Sequence, residues 1–180
     1  MFIYPVPLLG KRLPVISSHF REENRPSHVG VDIMYKRLPE DGGPPGKLSF
    51  PLYARRYFMP FNIPAFAFAA GVVSIAKQIG TGGYVQIDHG SGLKSEYMHL
   101  TDLKVKTGQK VSAGIPVGLI SNNPIDTDPN HLHFQIKKNG SVVDPEPYLA
   151  QAQKRSAAGI GTLVFITGAL VLFLSRIGRL

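Results

Sequence analysis

Two histidines separated by one residue, His131 and His133, are the first residues whose types and spacing suggest chemistry. In an extended strand alternate side chains share a face, so the two imidazoles project together while Leu132 points the other way. Upstream, His28 and Asp32 are four positions apart and share a face in either a strand or a helix. Imidazole nitrogens and a carboxylate oxygen suit a catalytic zinc site that leaves a fourth position for water. The spacing therefore predicts a metal centre built from these stretches.

The rest of the composition limits which catalytic groups and binding partners the protein can have. A further histidine, His99, lies in an apolar frame, and histidines that do not bind the metal would be free to act on water and substrate. Cysteine is absent, so no thiolate can bind a metal or attack a substrate. The formal net charge of +8 favours anionic partners such as nucleic acid, phospholipid or cell-wall polymer. The basic residues are scattered singly or in pairs, which argues against specific binding of nucleic acid.

The elements that must position these residues read mainly as β-strands. After an N-terminal arm over residues 1–14, residues 15–150 contain short β-branched and aromatic runs with turn signals about every 8–12 residues. This pattern predicts an all-β or β-dominated domain. Residues 36–63 contain a Pro/Gly cluster and several aromatic residues, and they predict an inserted loop. The loop is either an excursion that packs its own aromatic side chains, or the wall of a substrate groove or a membrane-facing flap.

The C-terminal region has a different composition. Residues 151–155 predict a short juxtamembrane helix, and residues 156–175 contain no charged side chain. A helix of that length spans about 30 Å, which is the thickness of the hydrocarbon core of a bilayer. We therefore expect a transmembrane α-helix over residues 156–175 and a basic tail over residues 176–180. Basic residues flank the span on both sides, so the positive-inside rule does not give its orientation.

A series of motifs in one fixed order resembles the lysostaphin-type zinc endopeptidases, which cut the cross-bridges of peptidoglycan. The motifs are Ser-x-Phe, His-x-Gly-x-Asp, Gly-Tyr-Val-Gln-Ile-Asp-His-Gly, Tyr-x-His-Leu, Val-x-x-Gly-Gln-x-Val-x-x-Gly, His-Leu-His-Phe and Asn-Gly-x-x-Val-Asp-Pro. The likeness runs from about Val15 to Leu149. It implies an antiparallel β-sheet groove with zinc at its floor.

The resemblance also implies a role for each site residue. His28, Asp32 and His133 become the zinc ligands, and His99 and His131 become catalytic histidines that do not bind the metal. Zinc lowers the pKa of its bound water and polarises the scissile carbonyl. We assign His131 as the general base and His99 as the group that stabilises the oxyanion or protonates the leaving amine, although the two roles can be exchanged.

Tyr97 stands two residues before His99, which would place both side chains on one face of a strand. Its hydroxyl either adds a hydrogen bond to the transition state, or Tyr97 is a strand tyrosine that only packs. The sequence leaves these two alternatives open.

These observations lead to the expectation of a membrane-anchored zinc endopeptidase that hydrolyses peptide cross-links of bacterial peptidoglycan during phage entry or lysis. We expect it in the membrane of a phage virion, with a lipid bilayer and other virion or envelope proteins as partners. The alternative location is a bacterial cell membrane, with the domain facing the wall. The competing function is a catalytically silent, membrane-anchored binding or structural module that keeps the fold. The sequence does not choose between glycyl-glycine bridges and D-alanyl to diamino-acid cross-links.

Overall fold

Strands dominate the computed structural model, which describes residues 1–41, 56–79, 82–120 and 130–153. They form where β-branched and aromatic side chains alternate with polar ones, a pattern that suits a half-buried pleated surface. The described strands are β1 (Pro14–Ser18), β2 (Val31–Lys36), β3 (Tyr57–Phe58), β4 (Pro64–Phe66), β5 (Gly71–Ile79), β6 (Gly82–Asp88), β7 (Leu93–Thr101), β8 (Lys110–Val111), β9 (Pro116–Ile120), β10 (Leu132–Lys138) and β11 (Ser141–Val143). A short 3-10 turn covers Pro39–Asp41, and residues 146–153 are helical.

These strands pair antiparallel in a single sheet, which confirms the predicted β-dominated fold. The main path runs β1-β2-β10-β7-β6-β5-β8. Four shorter strands extend it, because β3 pairs with β2, β11 pairs with β10, and β9 pairs with both β7 and β4. The late strand β10 therefore lies between β2 from the N-terminal part of the chain and β7 from its middle.

Strand β10 separates its side chains by simple alternation. Its core-facing residues are fully buried: Leu132, Phe134 and Ile136. The residues that follow each of them lie on the opposite side of the sheet, which we call the polar face: His133, Gln135 and Lys137. On β7 the buried Ser95 and Tyr97 likewise alternate with Lys94 and Glu96. The polar face is thus continuous across neighbouring strands.

The N-terminal arm packs on this sheet without adding a strand to it. The backbone N–H of Ile3 donates a hydrogen bond to the carbonyl of Phe68 (2.7 Å), and Tyr4 and Val6 are buried in the core. The loop predicted over residues 36–63 is in part strand, because the aromatic pair Tyr57–Phe58 forms β3 against the end of β2.

Several predicted segments lie outside the described residues. They are the middle of the inserted loop (residues 42–55), the transmembrane helix (156–175) and the basic tail (176–180). Among the helices that are described, none has the length and apolar character needed to cross a bilayer.

Candidate metal centre

Three donor atoms converge where β2 and β10 lie side by side. Nε2 of His28 lies 3.1 Å from Oδ1 of Asp32 and 3.1 Å from Nδ1 of His133, and the last two atoms are 2.9 Å apart. Asp32 and His133 are directly opposite each other in the strand register, and His28 lies in the turn just before β2. All three side chains are buried. The sheet pairing therefore brings together two sequence motifs that are about a hundred residues apart.

The chemistry of these donors fits a metal ion. Nδ1 of His28 lies 2.8 Å from the carbonyl oxygen of His19, which can only accept, so Nδ1 carries the ring proton. Nε2 of His28 then presents a lone pair towards the carboxylate of Asp32, and two acceptors this close repel unless a cation lies between them. Tetrahedral zinc with bonds of about 2.0–2.1 Å places neighbouring donors about 3.3 Å apart. The observed spacing is close to that value.

The second oxygen of Asp32 has its own partner. Nη1 of Arg25 lies 3.1 Å from Oδ2 of Asp32 and 2.7 Å from Oγ of Ser18, so it ties the carboxylate to the end of β1. This contact leaves Oδ1 facing the two histidine donors. Burial raises the pKa of Asp32, but when no metal ion is bound the hydrogen bond from a protonated His133 and the positive charges of protonated neighbouring histidines outweigh it. The resulting pKa lies well below the ordinary range of an aspartate.

Gly30 gives the site the space it needs. It lies between His28 and Asp32, and a Cβ atom built on it would lie 2.5 Å from Nε2 of His133 and 2.7 Å from the carbonyl oxygen of Phe134. Both distances are far below van der Waals contact. The absence of a side chain at this position therefore makes room for the ring of a donor histidine and for the backbone of β10.

Two further imidazoles stand beside the donor triangle. Nε2 of His131 lies 3.6 Å from Oδ1 of Asp32, and its ring centroid lies 4.7 Å from that of His99. The centroid of His99 is 6.1 Å from that of His133. His99 has a φ angle of +59°, which is uncommon for a residue other than glycine. This left-handed residue interrupts the alternation of β7 and leaves the His99 side chain exposed.

The expectation that Tyr97 shares a face with His99 is wrong. Tyr97 is fully buried, and its ring packs 5.4 Å from that of Phe134 in the core. Its hydroxyl oxygen accepts hydrogen bonds from the backbone N–H of Phe68 (2.7 Å) and from the hydroxyl of Ser95 (3.0 Å). The physical reason is the left-handed conformation at His99, which breaks the two-residue period between them. Its burial and its two hydrogen-bond partners favour the packed strand tyrosine over the transition-state role.

The polar face carries a second polar group, which the sequence did not predict. The carboxylate of Glu96, only 1% exposed, accepts hydrogen bonds from four side chains that we group with it as the Glu96 cluster. The donors are Tyr84 (2.6 Å), Gln86 (2.5 Å), Gln135 (2.6 Å) and Lys137 (2.8 Å). Strand alternation was a usable signal, because it places the Glu96 side chain on the face opposite to its core-facing neighbours Ser95 and Tyr97.

An antiparallel sheet that carries a His/Asp/His donor triangle with two more imidazoles beside it defines a metallohydrolase type of site. The model of peptidase family M23 matches residues 53–145, just over half of the chain. The chain therefore belongs to peptidase family M23, whose members are zinc metallopeptidases. The matched region contains His99, His131 and His133, whereas His28 and Asp32 precede it.

Individual relatives agree with this assignment. The peptidoglycan DD-endopeptidase ShyA of Vibrio cholerae is 37% identical over 89 residues, which are 49% of this chain and 20% of ShyA. A crystal structure of a zinc-containing peptidase from Vibrio cholerae superposes with a TM-score of 0.57 and 25% identity, covering 82% of this chain and 39% of that one. Lysostaphin from Staphylococcus simulans shares the fold, with a TM-score of 0.55, 23% identity and coverage of 84% and 56%. The chain thus spans only part of each relative's length.

Proposed function

We propose that this chain is a zinc-dependent endopeptidase that hydrolyses peptide cross-links of bacterial peptidoglycan. The observation that carries the proposal is the donor triangle with two further imidazoles, those of His99 and His131, beside it. Three protein ligands with one open position are the usual arrangement of a catalytic zinc site. The name of the relative ShyA supports peptidoglycan as the substrate.

In this proposal His28, Asp32 and His133 hold the ion. Zinc bound there supplies a Lewis acid for the scissile carbonyl and lowers the pKa of the attacking water. Arg25 and the carbonyl of His19 orient two of the ligands, so that Oδ1 of Asp32 and Nε2 of His28 point to the same place.

The remaining histidines move the protons. His131, next to Oδ1 of Asp32, takes a proton from the attacking water as the oxygen adds to the carbonyl carbon. His99 donates a hydrogen bond to the oxygen that gains negative charge, or a proton to the leaving nitrogen as the C–N bond breaks. Their rings are in contact, so either histidine can reach the same substrate atoms, and the two roles remain exchangeable.

Digestion of purified peptidoglycan by the full chain tests this function. Two walls are used, one glycine-bridged and one directly cross-linked, with and without a chelator. We expect zinc-dependent release of new amino termini that is lost in His131→Gln and retained in His89→Gln. His89 is a matched control because its ring nitrogens lie 2.9 Å from the carbonyl of Ala70 and 2.8 Å from the hydroxyl of Ser95, and not beside the donor triangle. Bound zinc without cleavage of either wall would favour the silent binding module.

We also propose that residues 156–175 anchor the enzyme in a membrane, in a phage virion or, alternatively, in a bacterial cell membrane facing the wall. Support comes from the uncharged sequence of this segment and its basic flanks. Fractionation tests the location: the protein would be recovered with purified virions in the first case and with host membranes in the second. Recovery in neither fraction would refute anchoring.

A further inference from the structure

Two lysines occupy directly opposite positions on the polar face. Lys137 of β10 pairs in register with Lys94 of β7. Like charges directly opposite each other destabilise a sheet unless they are compensated. Each ammonium group has a carboxylate partner, because Lys137 Nζ lies 2.8 Å from Glu96 and Lys94 Nζ lies 3.2 Å from Asp88. The two ion pairs therefore hold two ammonium groups side by side on the polar face. Along β10, Lys137 is the second residue after His133 on this face.

The two side chains of the Lys137–Glu96 ion pair differ in their exposure to solvent. The side chain of Lys137 is 30% exposed, whereas that of Glu96 is 1% exposed. The ammonium group is thus presented at the surface of the polar face, and its counter-charge lies beneath it. An ammonium group has three N–H donors, so two remain after the bond to Glu96.

The Glu96 carboxylate is held as a charged anchor. Burial raises its pKa, but hydrogen bonds from Lys137, Tyr84 and Gln86 lower it further, so the net pKa lies below the ordinary value of a glutamate. Because these bonds fix the carboxylate, Lys137 is fixed as well. A pre-positioned donor loses little conformational entropy when it binds a ligand.

The distance between the Lys137 ammonium group and the metal centre determines which part of a bound substrate can reach Lys137. Lys137 bends back to Glu96, which is opposite Gln135 in the register. Gln135 is the next residue after His133 on the same face of β10, which places it about 7 Å further along the strand. A group bound by Lys137 would therefore lie about two extended residues from the bond being cut.

We propose that Lys137, anchored by Glu96, binds a free carboxylate of the wall peptide about two residues from the scissile bond. The enzyme accordingly selects acidic, directly cross-linked stem peptides over uncharged glycine bridges. This inference rests on the proposed function, which leaves the cross-link undefined.

Matched substrates test the inference. The probes are a directly cross-linked muropeptide dimer with free carboxylates and the same dimer with those carboxylates converted to carboxamides. With the full zinc-loaded chain we expect kcat/KM to favour the carboxylate form by about 10-fold or more, as for a hydrogen bond between charged groups. Lys137→Gln should reduce this ratio to below about 3-fold, mainly by raising KM for the carboxylate form. Lys137→Arg should restore most of it.

Lys138→Gln is the matched control, since this neighbouring lysine bonds instead to the carbonyl of Ser91 (2.8 Å). Its substrate ratio should equal that of the unmodified chain. A Lys137→Gln variant that keeps the full ratio would overturn the inference even though the enzyme is active. If the unmodified chain cleaves neither dimer, the proposed function fails. In that case, equilibrium binding of the two uncleaved dimers is measured for the unmodified chain and for Lys137→Gln. An equal preference for the carboxylate dimer in these two proteins would refute the role of Lys137.

Discussion

Gly30→Ala should remove metal binding while leaving the sheet folded. A Cβ atom at this position would lie 2.5 Å from Nε2 of His133, about 0.9 Å short of ordinary contact. The carbonyl of Phe134, only 2.7 Å away, blocks relief on the backbone side, so the imidazole must move. Ligand distances in metal sites tolerate shifts of about 0.2 Å. We therefore expect zinc affinity to fall at least about 100-fold, or about 2.8 kcal/mol, as measured by competition with a chromophoric chelator.

Gly118→Ala provides the control for this substitution. It adds a methyl group to another strand glycine, where the nearest atom is the carbonyl of Thr101 at 3.3 Å. Its zinc affinity should match that of the unmodified chain. Crowding in Gly30→Ala should lower the free energy of unfolding of the metal-free protein by about 1–3 kcal/mol. A Gly30→Ala protein that keeps full zinc affinity would refute the reasoning, because His133 would then not be confined as described.

Three other substitutions follow from contacts around the sheet. Arg25→Met removes the partner of Oδ2 of Asp32, so zinc affinity should fall about 10-fold in the same chelator competition. Tyr97→Phe leaves the buried N–H of Phe68 without its acceptor, so the free energy of unfolding in urea should fall by about 1–3 kcal/mol while kcat stays within about 2-fold. Burial lowers the pKa of His89 in the folded state, so the unfolded state takes up its proton more readily. The free energy of unfolding should therefore decline as the pH falls below about 6.5, and His89→Gln should flatten that decline.

Each of these expectations has a contradicting result. Unchanged zinc affinity in Arg25→Met would mean that the guanidinium does not orient the carboxylate. Arg21→Met is the control, because the guanidinium of Arg21 lies over the ring of Phe20, 5.2 Å from its centroid. A large loss of kcat in Tyr97→Phe without a loss of stability would return the tyrosine to a catalytic role. An equally steep pH profile in His89→Gln would assign the acid sensitivity to other groups.

The strand periods in the sequence were sufficient to predict much of this site's arrangement. Alternation along residues 131–134 predicts that Leu132 and Phe134 face the core, and both side chains are fully buried there. The even spacing of His28 and Asp32 likewise predicts a shared location, and their donor atoms meet His133. The inference about β10 succeeds because a regular strand has a fixed period that needs no tertiary information. His28 lies in the turn before β2, so strand alternation does not explain its position beside Asp32. The roles of the residues as ligands stay a prediction.

What the sequence did not predict depends on departures from that period and on long-range contacts. The left-handed backbone at His99 falls on a residue that rarely adopts it, so no local signal predicts it, and it separates the side chain of His99 from that of Tyr97. Arg25 reaches Asp32 from the turn between β1 and β2, whose path no local pattern gives. The Glu96 cluster requires the strand order, because its members come from β6, β7 and β10.

The place of β10 between β2 and β7 has a consequence for synthesis. The first donor residues leave the ribosome early, but the strand that carries His133 is made more than a hundred residues after His28 and must insert between two strands already made. Contacts between distant parts of a chain form slowly, because loop closure must come first. A nascent chain that ends before β10 therefore holds only two of the three donors. The donor triangle is completed only when nearly the entire sheet exists, so an unfinished chain would lack one of its three donors.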